Sequence, residues 1–146
     1  GAGECCRAVA LSVDGGASWG PVAYDRGLPE CPCQASLLRW RWPEGDAPGI
    51  LAFANPDNRG ERFGIERTRM TVRLSFDEGR TWPVARLIHA GPSSYSGLVR
   101  LDRDTLGLVF EGGTTHRREW LRFCRLSLAW LGTGDAAAEA AAEPPA

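Results

Sequence analysis

An eight-residue pattern occurs twice in this chain. Residues 12–19 read SVDGGASW and residues 75–82 read SFDEGRTW, 63 positions apart, with Ser, Asp, Gly, a small hydroxyl residue and Trp at matching places. The likeness extends outward, since each copy follows an apolar run ending in Leu-Ser (AVALS, TVRLS) and is followed by Pro-Val (GPVAY, PVARL). A repeat of this length constrains architecture before chemistry, because each copy marks a unit that stacks on the next.

The segments between the copies read as strands. AVALS, ASLLRW, ILAFANP, RMTVRLS, PVARLIH, SGLVRLD, TLGLVFEGG and RFCRLSLAWL are short apolar or alternating runs bounded by Gly, Pro, Asp and Asn. None is long or periodic enough to require a helix. The order QASLLRW (34–40), ILAFANP, TVRLS, repeated motif, PVARL begins again as YSGLVRL (95–101), LGLVFEGG and FCRLS (123–127), without the Asp-Gly turn. Each unit is therefore four strands in roughly 60 residues, the organisation of a propeller blade. The expected fold is all-β, two to three blades of a ring. Because rings need four to eight blades, further blades are expected to complete it. Residues 1–132 form the expected propeller segment, and the Ala-rich residues 133–146 are expected to be a solvated, disordered tail.

Asp14 and Asp77 precede glycine by one or two positions, as a tight turn requires. Their carboxylates can accept turn N–H groups, with the Ser or Thr and the Trp pinning the turn to its blade. Catalytic groups seldom recur in every unit, whereas turn residues must, so the two aspartates read as structural.

Composition narrows the function. With 43% hydrophobic and 24% charged residues and a formal net charge of −1, nothing draws the chain to nucleic acid or an anionic membrane. No apolar run approaches the roughly 18 residues of a membrane span. Five cysteines (Cys5, Cys6, Cys31, Cys33 and Cys124) are an odd number, and neither His89 nor His116 stands at a zinc-like spacing from them. They read as buried thiols, with no metal or other cofactor expected.

The repeated motif resembles the Asp-box of the sialidase (neuraminidase) family, and the resemblance extends well beyond it. RAVALSVDGG, CQASLLR, FANP, RTRMTVRLSFDEGRTWPV, GPSSYSGLVRL, GLVFEGG and LSLAWLG occur in the order found in the C-terminal part of bacterial exo-α-sialidases. The resemblance implies a six-bladed β-propeller of which this chain holds the last two to three blades. It also implies hydrolysis of terminal α-linked sialic acids on glycoconjugates with retention, through a tyrosine nucleophile, and secretion or an extracellular location. A phenol suits this substrate because sialic acid carries a carboxylate on its anomeric carbon, which would repel an incoming Asp or Glu. With a phenol pKa near 10, reaching phenolate at neutral pH costs about 4 kcal/mol, so a carboxylate base must assist.

By the same resemblance Tyr95, in PSSYSGL, matches the nucleophile and opens an innermost strand. Arg7 and Arg67 match the second and third of three arginines that bind the substrate carboxylate, a task suited to a planar, bidentate, always-charged group. Arg69 and Arg73 are near competitors, Arg73 being expected to face solvent on an outer strand as Arg125 does. Glu111, sixteen residues after Tyr95, matches the glutamate that buttresses the first arginine of the triad. That first arginine, the general-acid aspartate and the glutamate base lie N-terminal to this segment in the family, and Glu4 is too close to Arg7 to be that base. The expected partners are thus a sialylated glycan and the missing N-terminal blades, and the chain alone is expected to be inactive. The alternative is a non-catalytic Asp-box propeller segment that binds glycan or protein.

Overall fold

The computed structural model describes residues 6–57 and 67–132, which form eight strands and one short helical turn. In chain order these are β1 (Cys6–Val9), β2 (Ala23–Pro29), β3 (Ser36–Arg41), β4 (Ile50–Pro56), β5 (Thr68–Ser75), β6 (Val84–Arg100), β7 (Thr105–Gly112), β8 (Trp120–Ser127) and α1 (Leu128–Gly132). β1 and β2 form an antiparallel pair, while β3 to β8 follow one another in sequence order as one curled antiparallel sheet. The fold is all-β, as expected. Glu4, Cys5 and the tail at 133–146 lie outside the described residues.

The sequence suggested separate strands for PVARLIH and SGLVRLD, but β6 is continuous through both. Its first part pairs with β5 as far as Pro92, and its second part, from Ser93, pairs with β7. At the hand-over the Ser93 N–H donates to the Arg67 carbonyl at 2.8 Å, and the Pro92 carbonyl accepts from the Gly113 N–H at 3.0 Å. Backbone groups at the bend are thus satisfied from both sides, so the strand need not break. The result is a four-stranded ladder, β3 to β6, leading into a three-stranded one, β6 to β8.

Successive ladders stack at a constant offset in sequence. Gln34 meets Ser96, Ser36 meets Leu98, Trp40 meets Asp102 and Arg41 meets Arg103, each pair 62 residues apart. The core between the ladders is built from Trp40, Met70, Val72, Leu74, Leu108 and Phe110, all buried. The opposite face of the four-stranded ladder is covered by the β1–β2 pair. Asn55 Nδ2 donates to the Pro29 carbonyl at 2.8 Å, and Trp82 Nε1 donates to Asp25 Oδ2 at 2.9 Å. Gly27 makes room for this contact, because a Cβ there would meet Trp82 Cδ1 at 3.0 Å.

Two-sided burial corrects the expectation for Arg73. Instead of facing solvent, Arg73 is 3% exposed, with Nη2 2.5 Å from Asp57 Oδ2 and Nη1 donating to Asn55 Oδ1 at 3.1 Å. Arg125, which lies on β8 with no ladder beyond it among the described residues, is exposed. Two elements also differ from the sequence reading. β2 (AYDRGLP) was not marked as a strand, because it is polar and pairs on one side only. The run RFCRLSLAWL ends as a strand at Ser127, whose Oγ accepts the Trp130 N–H at 3.2 Å and starts α1.

The two repeated turns share one hydrogen-bond pattern. Ser12 and Ser75 donate to Asp14 and Asp77 Oδ1 at 2.8 and 2.9 Å, and accept from the N–H of Gly16 and Gly79 at 2.7 and 2.8 Å. Oδ1 of each aspartate accepts from the N–H of Ser18 or Thr81 at 2.9 Å, and Oδ2 from its hydroxyl at 2.6 or 2.7 Å. Positive φ angles at Gly16 (94°) and Gly79 (81°) explain the glycine that both turns share, and the position before it is left-handed in both, at Gly15 (70°) and Glu78 (62°). The hydroxyls and then the N–H groups of Ser18 and Thr81 hold both carboxyls down at about 2.

Two predictions follow from the packing and the turns. Both folded carboxyl pKa values lie below the unfolded value near 3.9. Their stabilisation is therefore complete above about pH 4 and is lost as pH falls through about 2. In the full-length protein Asp77→Ala should lower the melting temperature at neutral pH and flatten its fall on acidification. Arg73→Met should cost about 3–5 kcal/mol in denaturant unfolding, because it removes one partner of a buried ion pair. Replacing both partners with apolar residues should recover much of that loss.

Candidate functional site

The residues singled out in the sequence gather at one end of the strands, where the ladders are irregular. Ser93 pairs with Gly112 and Ser96 with Phe110, so Ser94 and Tyr95 together oppose the single residue Glu111. Such a bulge re-aims a side chain, and Tyr95 is left 45% exposed. A second irregularity in the β5–β6 ladder lies at Arg69, between Thr68 and Met70, where φ is +63°. Left-handed backbone at a non-glycine residue is held only where its surroundings enforce it. Here the Arg69 carbonyl accepts from the Asp57 N–H at 3.0 Å and the Thr71 hydroxyl at 2.9 Å.

Arg67 stands immediately before β5. Its Cζ lies 5.6 Å from the centroid of the Tyr95 ring, within cation–π range. Nη1 donates to Ser94 Oγ at 3.2 Å and Nη2 donates to the Pro32 carbonyl. Arg7, on β1, donates from Nη1 and Nη2 to the Cys33 carbonyl at 3.4 and 3.3 Å. Its Cζ lies over the Phe53 ring at 5.4 Å. The two guanidinium groups, 60 residues apart in sequence, are therefore moored to consecutive carbonyls of one segment between β2 and β3.

Three groups near the arginines were not apparent from the sequence. Glu30 Oε2 lies 2.5 Å from Arg7 Nε, close enough for an ion pair but not aligned as a hydrogen bond. Burial pushes the Glu30 carboxyl above its usual value, against the pull of Arg7 and, more weakly, Arg67. Ser94 and the Pro32 and Cys33 carbonyls serve as acceptors. Cys31 and Cys33 were counted among the thiols, but nothing in the sequence shows that the main chain of Pro32 and Cys33 holds arginines. Buried thiols were expected throughout. Cys31 and Cys124 are buried, Cys6 and Cys33 are half-buried, and all four are free.

Glu111, half-buried on β7, carries an Oε2 that is shielded from water and has no hydrogen-bond partner among the described residues. Among the described residues no group of His, Cys, Asp and Glu could hold a metal ion, and no helix is long and apolar enough to cross a membrane. Chemically, the cluster offers the Arg67 cation beside an exposed phenol, with Arg7, paired to Glu30, held on the adjoining carbonyl. That combination suits a ligand bearing a carboxylate.

No protein-family model matches the chain. It is 39% identical over 130 residues to a sialidase of Micromonospora viridifaciens, covering 86% of this chain and 18% of that protein. It is 31% identical over 115 residues to a sialidase of Bacteroides fragilis, covering 75% of this chain and 20% of that one. Among solved structures, the Hadza microbial sialidase Hz136 superposes with a TM-score of 0.64 at 26% identity, over 86% of this chain and 24% of the other. The Ruminococcus gnavus intramolecular trans-sialidase, solved with oseltamivir carboxylate, superposes with a TM-score of 0.70 at 17% identity, over 88% of this chain and 29% of the other, and so speaks for the fold alone. The chain thus spans about a fifth of the length of the curated relatives it matches first. By sequence and by fold, this chain belongs to the sialidase family as a segment of its propeller.

Proposed function

We propose that the chain is the C-terminal part of a six-bladed exo-α-sialidase propeller and supplies part of its active site. The observation that carries this reading is the convergence of Arg67 and Arg7 on the Pro32–Cys33 carbonyls, with Arg67 over the exposed Tyr95 ring. In this reading Arg7 and Arg67 bind the carboxylate of a terminal sialic acid on a glycan. Tyr95 attacks the anomeric carbon to form a glycosyl-enzyme intermediate, and water then releases sialic acid with retention. Glu111 orients the first arginine of the triad, contributed by an upstream blade, which is consistent with its unpartnered Oε2. The general acid and the base that activates Tyr95 also come from upstream.

The outer flanks support completion by further blades. Trp82 of the second turn packs against β2 of the preceding unit, with Phe53 5.9 Å away. Trp19, its counterpart in the first turn, is 66% exposed. At the other flank Leu121 and Phe123 of β8 are 73% and 55% exposed. Units that stack bury such faces against neighbours.

Tyr95→Phe in the full-length protein should leave the melting temperature unchanged and reduce sialoside hydrolysis by several orders of magnitude. Wild-type hydrolysis in that variant would remove Tyr95 from the chemistry and favour a glycan-binding segment. Residues 1–146 alone should associate on size-exclusion chromatography and show no turnover of a fluorogenic sialoside. Acid and base, each contributing about 10²–10⁴-fold, are missing from them. A monodisperse monomer with clear turnover would contradict both the missing blades and the upstream placement of those groups.

A further inference from the structure

At the ends of β3 and β6 away from Tyr95, a cavity of about 230 Å³ opens between the two stacked ladders. Arg41, Trp42, Pro43 and Pro48 line it from the β3 side, and Arg100 and Arg103 from the turn between β6 and β7. Arg100 stands five residues along β6 from Tyr95, about 17 Å of extended strand, so the cavity is separate from the arginine–tyrosine cluster. Its walls are fixed. Arg41 pairs with Asp104 and donates from Nε to the Arg103 carbonyl at 2.8 Å. Arg103 Nη1 lies 2.8 Å from Glu44 Oε2, and Glu44 exchanges two backbone hydrogen bonds of 3.1 Å with Ala47. Arg39 Cζ lies 4.9 Å over one face of the Trp42 ring, yet Trp42 is still 72% exposed. Arg100 is the cation left over. Its Nε donates to the Asp102 carbonyl at 3.4 Å, and no carboxylate among the described residues pairs with it. The cavity thus combines one unmatched cation with an open indole and two prolines.

We infer that this cavity binds one carboxylate-bearing sugar residue, at a site distinct from the one that holds Tyr95. A planar guanidinium takes a carboxylate through two parallel hydrogen bonds. A pyranose presents a face of C–H bonds that packs on an indole while its hydroxyls stay in water. The volume is below the roughly 300–1,000 Å³ of sites for drug-sized ligands, which suits one sugar rather than a chain of them. Charge selects among anions. Arg41 and Arg103 are already matched by Asp104 and Glu44, and Glu44 itself lines the cavity. A polyanion would therefore find a single free cation with a carboxylate beside it, whereas a monoanion balances Arg100 alone. The choice of a sugar acid rests on the sialidase reading above, in which the substrate is a sialylated glycan; the free cation and the open indole do not. A second acidic sugar held here, on another branch or glycan of the same glycoprotein, raises the effective concentration of terminal residues at the active site.

The test uses the full-length protein labelled with fluorotryptophan and read by fluorine NMR, the Trp42 resonance being assigned by its loss in Trp42→Phe. The probe is the S-linked methyl α-glycoside of N-acetylneuraminic acid, which resists hydrolysis. It should shift the Trp42 resonance saturably, and Arg100→Gln should weaken that binding about tenfold, the order expected for one charge-assisted contact. The methyl ester of the same glycoside lacks the charge and acetate lacks the ring, so both should bind far more weakly. No shift at Trp42, an equal response to the ester, or an unchanged affinity in Arg100→Gln would overturn the site. An equal response to acetate would overturn the sugar. Trp42→Ala should also raise KM for a sialylated mucin several-fold and leave KM for a small fluorogenic sialoside unchanged. An unchanged KM for mucin would overturn the link to turnover. Absence of turnover of both substrates by the unsubstituted protein would instead refute the active-site reading, with the Trp42 resonance still deciding the cavity.

Discussion

The four-stranded ladder from β3 to β6 is covered on both faces, and the rest of the structure depends on that. Apolar residues of β4 and β5 face the next ladder, while Asn55, Arg73 and Phe53 face the β1–β2 pair. A ladder of this kind cannot stand free in water, because each face would expose a core layer. Stacking at a fixed repeat then sets everything else. It brings residues 62 apart into contact, fixes the second turn against β2 through Trp82, and aligns one end of the units in a common rim. The site residues lie on that rim.

Two buried or half-buried arginines of the same segment, Arg67 and Arg73, show how the fold distributes charge. Arg73 is matched by the Asp57 carboxylate and Asn55 in a nearly dry setting, so its charge is neutralised within the fold. Arg67 is held by a hydroxyl and a carbonyl, which orient it without cancelling it. An arginine held in that way keeps its attraction for an anion from outside. Arg7 is intermediate, with the Cys33 carbonyl on its terminal nitrogens and Glu30 at Nε. The bulge at Ser94–Tyr95 does the same positional work for the phenol, turning it out of the ladder beside Arg67.

Much of this architecture was legible in the sequence, because turn chemistry and strand period are local. The paired motifs at 12–19 and 75–82 announced stacked units, and their hydrogen bonds match one for one. What escaped depends on neighbours distant in the chain. Arg73 looked like a surface residue because nothing at 71–75 discloses that Asp57 lies beside it and β2 beyond. β2 itself is polar and paired on one side, so it lacks the pattern of a strand. The joining of two apolar runs into β6 needed the Arg67 and Gly113 main chains at the bend. The Pro32–Cys33 carbonyls escaped because main-chain acceptors leave no mark in a sequence, and Glu30 because its partner, Arg7, is distant in the chain.

The central claim is that Tyr95 becomes covalently attached to the sugar. The direct measurement uses the full-length protein and a sialosyl fluoride carrying a second fluorine beside the anomeric carbon. That fluorine disfavours the oxocarbenium-like transition states, while the fluoride leaving group keeps the first step accessible, so the glycosyl-enzyme accumulates. Tryptic cleavage after Arg86 and Arg100 yields Leu87–Arg100, in which Tyr95 is the only tyrosine. The account predicts that this peptide carries the fluorosialyl mass, with the modification on Tyr95. Labelling at a carboxylate elsewhere, or slow turnover with no labelled peptide, would contradict it.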